Sequence, residues 1–280
     1  MNVKYANLIS ARELIEHLGD DDLVVADCRF DLDRPEAGQR DYVRGHIPGA
    51  VYAHLERNLS SAPVTDAGRH PLPSPEAMRR TFEHLGIGDT SQVVVYDDSQ
   101  GMYACRLWWM LNYMGHDAVA VLDGGLTEYL RKAGPLLEGI DHNPEARFTG
   151  KPRRELLVVK SEVGEAERLV DARDADRYRG EVENRDPRAG HIPGALNYPW
   201  RENIAADGRF RPPETIRTHI TEALRGAPTE GTVFYCGSGV SACVDVLATS
   251  LAGFGFPKVY VGSWSEWSRD ETLPVATGGG

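Results

Sequence analysis

The chain has 280 residues, enough for one large domain or two ordinary ones, each with its own core. It is 41% hydrophobic and 26% charged without a low-complexity tract, which is the make-up of a soluble globular protein. Its net charge of -11 argues against nucleic acid or an acidic membrane as partner, and it obliges any anionic substrate to find a locally positive site.

Met1 to Ala6 carry no apolar stretch of signal-peptide type, and no later run approaches a membrane span. Leu23 to Ala26 is a short, β-branched apolar run and predicts a buried strand. Ser74-Pro75-Glu76 predicts a helix start, with Ser74 as N-cap, Pro75 in the first turn and Gly86 closing the helix. A strand over Gln92–Tyr96, a helix from Tyr103 to Met114 and a strand over Ala118–Leu122 follow. The second half predicts the same order: a strand near Leu169, a helix from Pro213 to Leu224 and a strand over Thr232–Tyr235. A helix from Ala242 to Leu251 and a strand from Lys258 to Val261 complete it. Strands separated by helices call for a parallel α/β sheet.

The likeness of the halves extends to the letters. Gly45-His46-Ile47-Pro48-Gly49-Ala50 recurs as Gly190-His191-Ile192-Pro193-Gly194-Ala195. Asp27-Cys28-Arg29 has its counterpart in Asp171-Ala172-Arg173, and Val93 to Tyr96 in Thr232 to Tyr235. Gly124-Gly125-Leu126-Thr127-Glu128-Tyr129 answers to Gly262-Ser263-Trp264-Ser265-Glu266-Trp267. Matched blocks in one order mean a duplicated domain. The polar stretch around Asp141 to Lys151 separates the copies, giving a non-catalytic domain over 1–140, a linker over 141–155 and a catalytic domain over 156–280.

Open parallel sheets bind ligands where a strand's carboxyl end leads into the next helix. The two equivalent loops differ in chemistry. Tyr235 is followed by Cys236-Gly237-Ser238-Gly239-Val240-Ser241-Ala242, while Tyr96 is followed by Asp97-Asp98-Ser99-Gln100-Gly101. Glycines and small neighbours let the second loop curl so that its N–H groups converge on one point, a setting that stabilises a thiolate. Asp97 and Asp98 place negative charge where an anion would bind, so Cys236 is the candidate nucleophile. The four cysteines, Cys28, Cys105, Cys236 and Cys243, show no C-x-x-C spacing, and a reducing cytoplasm suits them.

The tandem Asp-x-Arg and Gly-His-Ile-Pro-Gly-Ala blocks, the cysteine loop in one half only and Gly262-Ser263-Trp264-Ser265-Glu266-Trp267 together resemble the two-domain rhodanese-type sulfurtransferases over essentially the whole chain. The resemblance implies two rhodanese-like domains, each a parallel sheet with helices on both faces. Cys236-Gly237-Ser238-Gly239-Val240-Ser241 is similar to the loop of the branch that uses 3-mercaptopyruvate; thiosulfate-using members usually carry basic residues just after the cysteine, where Gly237 and Ser238 stand here. The implied activity is sulfur transfer through a Cys236 persulfide to a thiol, a thioredoxin-like acceptor or cyanide, without metal or organic cofactor. A thiosulfate:cyanide enzyme and a non-enzymatic rhodanese-fold binding module are the alternatives.

The resemblance also assigns roles. Arg179 and Arg185 would hold the donor's carboxylate, with Arg188 as a competitor, because a planar guanidinium grips both oxygens. Gly237, Gly239, Val240 and Ser241 would line the bound substrate. Ser238 would deliver a proton together with His46 and an acid left open among Asp31, Asp33 and Asp41. The recurrence of His46 as His191 gives it a second reading, as a turn residue. A cysteine phosphatase is set aside, since the arginine it needs six residues past the cysteine is Ala242.

Overall fold

A computed structural model describes residues 5–62, 64, 66–226 and 229–279; Met1 to Lys4 lie outside it, and with them most of the N-terminal reading above. The first half holds β1 (Asn7–Ile9), α1 (Ala11–His17), β2 (Leu23–Asp27), α2 (Ala37–Arg44), β3 (Ala50–Tyr52), α3 (Pro75–His84), β4 (Gln92–Tyr96), α4 (Ala104–Tyr113), β5 (Val119–Leu122) and α5 (Gly125–Arg131). The second holds β6 (Leu157–Val158), β7 (Arg168–Asp171), α6 (Ala175–Arg179), β8 (Leu196–Asn197), α7 (Pro213–Ala223), β9 (Thr232–Tyr235), α8 (Ala242–Leu251), β10 (Lys258–Tyr260) and α9 (Ser263–Trp267).

Each half forms a parallel five-stranded sheet, ordered β1-β5-β4-β2-β3 and β6-β10-β9-β7-β8. The orders are the same once the strands are matched, as a duplication requires. The four strands without a prediction, β1, β3, β6 and β8, are the sheet edges. They run two or three residues each, too short for a hydrophobic period to register.

Central strands are buried on both faces. Val25, Val94, Tyr96, Ala120 and Leu122 pack with Leu14 of α1 and with Leu126 and Tyr129 of α5. The alternate residues Val24, Val93, Val95 and Val121 are buried as well, which is why these strands read as continuous apolar runs. The predicted helix start is present: Ser74 Oγ accepts the Ala77 N–H at 3.2 Å, with Pro75 in the first turn, a cap that contributes about 1 kcal/mol.

The repeated motifs form one network per sheet. Arg29 donates through Nε to both Asp27 oxygens (3.0 and 2.9 Å) and through Nη2 to Gly45 O (2.8 Å). Tyr96 donates to Asp27 at 2.7 Å and accepts the Ile47 N–H. Arg173, Asp171, Gly190, Tyr235 and Ile192 repeat it. The Asp-x-Arg pair thus ties the Gly-His-Ile-Pro-Gly-Ala turn to the strand that carries the loop residue.

The chain divides into two units, and they exchange short segments. Residues 62–72 belong with the second unit and 206–209 with the first. The expected linker is also not loose. Asp141 accepts the Gly49 N–H at 3.0 Å, Phe148 meets Phe82 with centroids 5.0 Å apart, and Arg153 pairs with Asp117 at 2.6 Å, all within the first unit.

Candidate active site

Cys236 follows β9 directly and is buried. Its N–H donates to Ser263 Oγ at 3.1 Å, while its carbonyl accepts the Trp264 N–H at 3.0 Å. The α9 start therefore clamps the cysteine backbone. Ser263 holds a left-handed φ of 55°, and its hydroxyl, which also donates to Tyr260 O at 2.9 Å, anchors that uncommon conformation. Gly239 has a φ of 72°, and a Cβ there would overlap the Val261 carbonyl, so only glycine completes the curl.

Burial by itself raises the Cys236 pKa. The Ser241 hydroxyl and the N–H groups of Ala242, Ser238 and Val240 outweigh it, and the thiol sits below its ordinary value. Cys28 has no such donors; burial, then Asp27 and Asp97, push it well above. Being buried is thus not what separates the two thiols. The converging donors are.

In the first unit the same curl is occupied by its own side chain. The Asp97 carboxylate accepts N–H groups from Ser99 (2.8 Å), Gly101 (2.9 Å), Tyr103 (2.8 Å) and Ala104 (2.9 Å). Gln100 takes the left-handed conformation, φ 60°, at the position of Gly239.

Ser238 and a histidine do come together, but the histidine is His70. Its Nδ1 lies 2.8 Å from Ser238 Oγ, and both residues are buried. His46 is committed elsewhere: fully buried and stacked on Tyr42, it contacts Tyr42 O through Nδ1 (2.9 Å) and Asp141 through Nε2 (3.2 Å). His191 likewise stacks on Tyr178 and contacts its carbonyl at 2.7 Å. The Gly-His-Ile-Pro-Gly-Ala histidine is therefore held as a turn residue, and the structure gives the expected relay of His46 with Asp31, Asp33 or Asp41 no support. Of these, Asp31 pairs with Arg34 and Asp41 with Arg44.

The cations also differ from expectation. Arg179 forms two bonds with Glu181 (2.8 and 2.7 Å) at the surface. Arg177, two residues earlier on α6 and hence on the opposite side of the helix, reaches the loop: a Cβ placed on Gly237 would lie 3.5 Å from its Nη1. Arg69 comes closer, with Nη2 at 2.8 Å from that point. Behind them, the buried Asp186 carboxylate pairs with Arg69 through one oxygen and with Arg177 through the other (3.3 Å). Glu183 accepts from Arg177 at 2.8 Å and pairs with Arg173 at 3.5 Å. Arg185 is exposed, with its backbone N–H on Glu183. Arg188 spends its guanidinium on the carbonyls of Ser268, Leu273, Trp267 and Asp270 and is structural.

Three arginines here, 69, 173 and 177, face three carboxylates, those of Asp171, Glu183 and Asp186. Arg69 and Arg177 each turn one guanidinium nitrogen toward Gly237, while the carboxylates bond their other nitrogens. Sequence reasoning missed Arg69, His70 and Arg177. One signal was available: the connection between β3 and α3 covers 53–74, longer than its counterpart over 198–212, and the excess contains Arg69 and His70.

Among the described residues no group of three or more His, Cys, Asp or Glu is placed to hold a metal ion, and no helix is long and apolar enough to cross a membrane.

The rhodanese-like domain model matches residues 10–132 and again 157–270. The chain is 46% identical over 281 residues to a probable 3-mercaptopyruvate sulfurtransferase of Pseudomonas aeruginosa, covering 98% of this chain and 99% of that one. It is 38% identical to a putative thiosulfate sulfurtransferase of Mycobacterium tuberculosis, with 97% of each covered. A solved 3-mercaptopyruvate sulfurtransferase from Leishmania major superposes with a TM-score of 0.84 at 32% identity, over 94% of this chain and 74% of that one.

Proposed function

The chain belongs to the rhodanese-like family and is a sulfurtransferase, and from that premise we propose that it takes sulfur from 3-mercaptopyruvate onto Cys236 and passes it to a thiol, a thioredoxin-like protein or cyanide. The observation that carries this reading is the Ser238–His70 pair beside a thiolate-stabilising loop.

The Cys236 thiolate attacks the donor sulfur, a Cys–sulfur bond forms, and the carbon–sulfur bond breaks with its electron pair going to the pyruvate enolate. That enolate needs a proton at carbon. Ser238, with His70 behind it, is the proton-delivering group within reach of the nucleophile's own loop. Arg177 and Arg185 take the donor carboxylate, Arg177 in place of the expected Arg179. The donor's S–H proton travels with the transferred sulfur and is then lost, and the persulfide anion left on Cys236 keeps the N–H groups of Ser238, Val240 and Ala242. Ser241 donates to it from the side, while Gly239 permits the left-handed turn that aims these groups.

The test compares donors and variants. Cys236→Ser is expected to lose transfer from any donor; retained turnover would remove Cys236 as the nucleophile. Ser238→Ala and His70→Gln should lower kcat with mercaptopyruvate by about 100-fold, the usual weight of a positioned proton donor. With thiosulfate, whose sulfite leaves without a proton, kcat should stay near wild type. An equal loss with both donors would show that the pair shapes the loop and delivers no proton.

A further inference from the structure

We infer that Arg69 is a donor-selecting residue: its guanidinium fills the space that a side chain at position 237 would take, and it brings to the residue after Cys236 the positive charge that the loop itself lacks. The inference rests on the persulfide reading of Cys236.

The neutral pair Gly237-Ser238 suggests a site without a cation close to the sulfur. The geometry reverses that expectation. Gly237 is not among the glycines with positive φ, so its backbone tolerates any residue. What a Cβ there would meet is Arg69 Nη2 at 2.8 Å, inside normal packing distance. Glycine at 237 therefore serves to admit an arginine from another part of the chain. Arg69 is built into this place. Its N–H donates to Ser265 Oγ at 3.0 Å, its Nη1 is paired with buried Asp186, and Gly68 beside it packs so tightly on the Gly262 carbonyl that a Cβ would overlap. Asp186 fixes one end of the guanidinium and leaves the other turned to the loop.

Donors differ in where they carry charge. Mercaptopyruvate holds its carboxylate away from the reacting sulfur. Thiosulfate is a compact dianion whose charge is shared by the reacting sulfur and the sulfonate oxygens bonded beside it. When the thiolate attacks the outer sulfur of thiosulfate, a Cys–sulfur bond forms, the sulfur–sulfur bond breaks, and sulfite departs with the electron pair and no proton. Three negative charges then share the site, so the cation beside Gly237 matters most for this class. Arg69 accordingly weights the enzyme toward donors whose leaving group is anionic at the atom next to the transferred sulfur.

Single-turnover charging of Cys236, followed by intact mass, is the direct readout, with thiosulfate and mercaptopyruvate as probes. The wild type should charge with both. Arg69→Met should slow charging by thiosulfate about thirtyfold, the weight of one charge-assisted hydrogen bond, and by mercaptopyruvate less than about threefold. Gly237→Ala, which displaces Arg69 without removing it, should show the same selective loss, and Arg69→Lys should restore thiosulfate use to within about threefold because it keeps the charge. Equal losses with both donors, no loss with either, or a wild type charged by mercaptopyruvate alone would each overturn the role. No persulfide with either donor would overturn it together with the reading it rests on. Should Arg69→Met fail to fold in thermal melts, Gly237→Ala decides.

Discussion

Asp97 and Cys236 stand at the same place in two sheets of the same strand order, each directly after the strand whose tyrosine closes the Asp-x-Arg network. Their loops aim N–H groups inward at the same intervals, two, four and six residues on: Ser99, Gly101 and Tyr103 in one, Ser238, Val240 and Ala242 in the other. The first loop closes permanently on its own carboxylate. The second holds a thiol of lowered pKa, whose thiolate those N–H groups favour. A duplicated fold thus keeps one nest filled by its own carboxylate and presents a thiol in the other, and on the function proposed above the side chain at the first loop position sets which copy works.

The largest test of that statement exchanges the side chain. Cys236→Asp should abolish sulfur transfer while the melting temperature stays close to wild type, because the carboxylate takes the same N–H groups that satisfy Asp97. An unfolded Cys236→Asp protein would show that the two nests are not equivalent, whatever their spacing. The reverse loss should be energetic and not chemical. Asp97→Ala strands four N–H groups, three of them buried, and should cost about 3 kcal/mol in urea unfolding, whereas Cys236→Ala, which removes a thiol, should cost about 1 kcal/mol. Equal costs would deny Asp97 its role as a built-in anion.

What the sequence disclosed follows from where information is local. Strand, loop and helix around Cys236 are contiguous, so the candidate nucleophile, its glycines and the central strands of both sheets are legible from neighbouring letters. The repeat adds a second reading of each block, and the silent copy identifies the working one. Arg69 and His70 were not legible, because residues 62–72 lie in the first half of the sequence yet belong to the second unit; no spacing rule connects His70 to Ser238 across that distance. Arg177, which the sequence reading passed over in favour of Arg179 and Arg185, was hidden for a smaller reason. In Arg177-Tyr178-Arg179 the arginines alternate in the text, but on α6 they project to opposite sides, and Tyr178, donating to Ala195 O at 2.6 Å, fixes which side meets the loop.

The smallest effect probes the difference within the thiolate nest itself. The Ser241 hydroxyl is the largest single influence that opposes burial at Cys236, so Ser241→Ala removes stabilisation from the charged form alone. The folded pKa must then rise, by about one unit if the hydroxyl contributes as one hydrogen bond to a charge. Below the new value the alkylation rate of Cys236 by iodoacetamide should fall by up to about tenfold, and above it the two proteins should converge, since both are then thiolate. The stability that a lowered thiol pKa brings is present above the unfolded value and is lost as pH falls through the folded one, so the variant should lose it at higher pH than wild type. Cys28, held well above its ordinary value, should stay unlabelled across that range in peptide mapping. A Ser241→Ala profile that superposes on wild type would assign the lowered pKa to the backbone N–H groups alone. The nest at Cys236 would then match the one at Asp97 in every donor that counts, leaving the thiol itself as the whole of the difference.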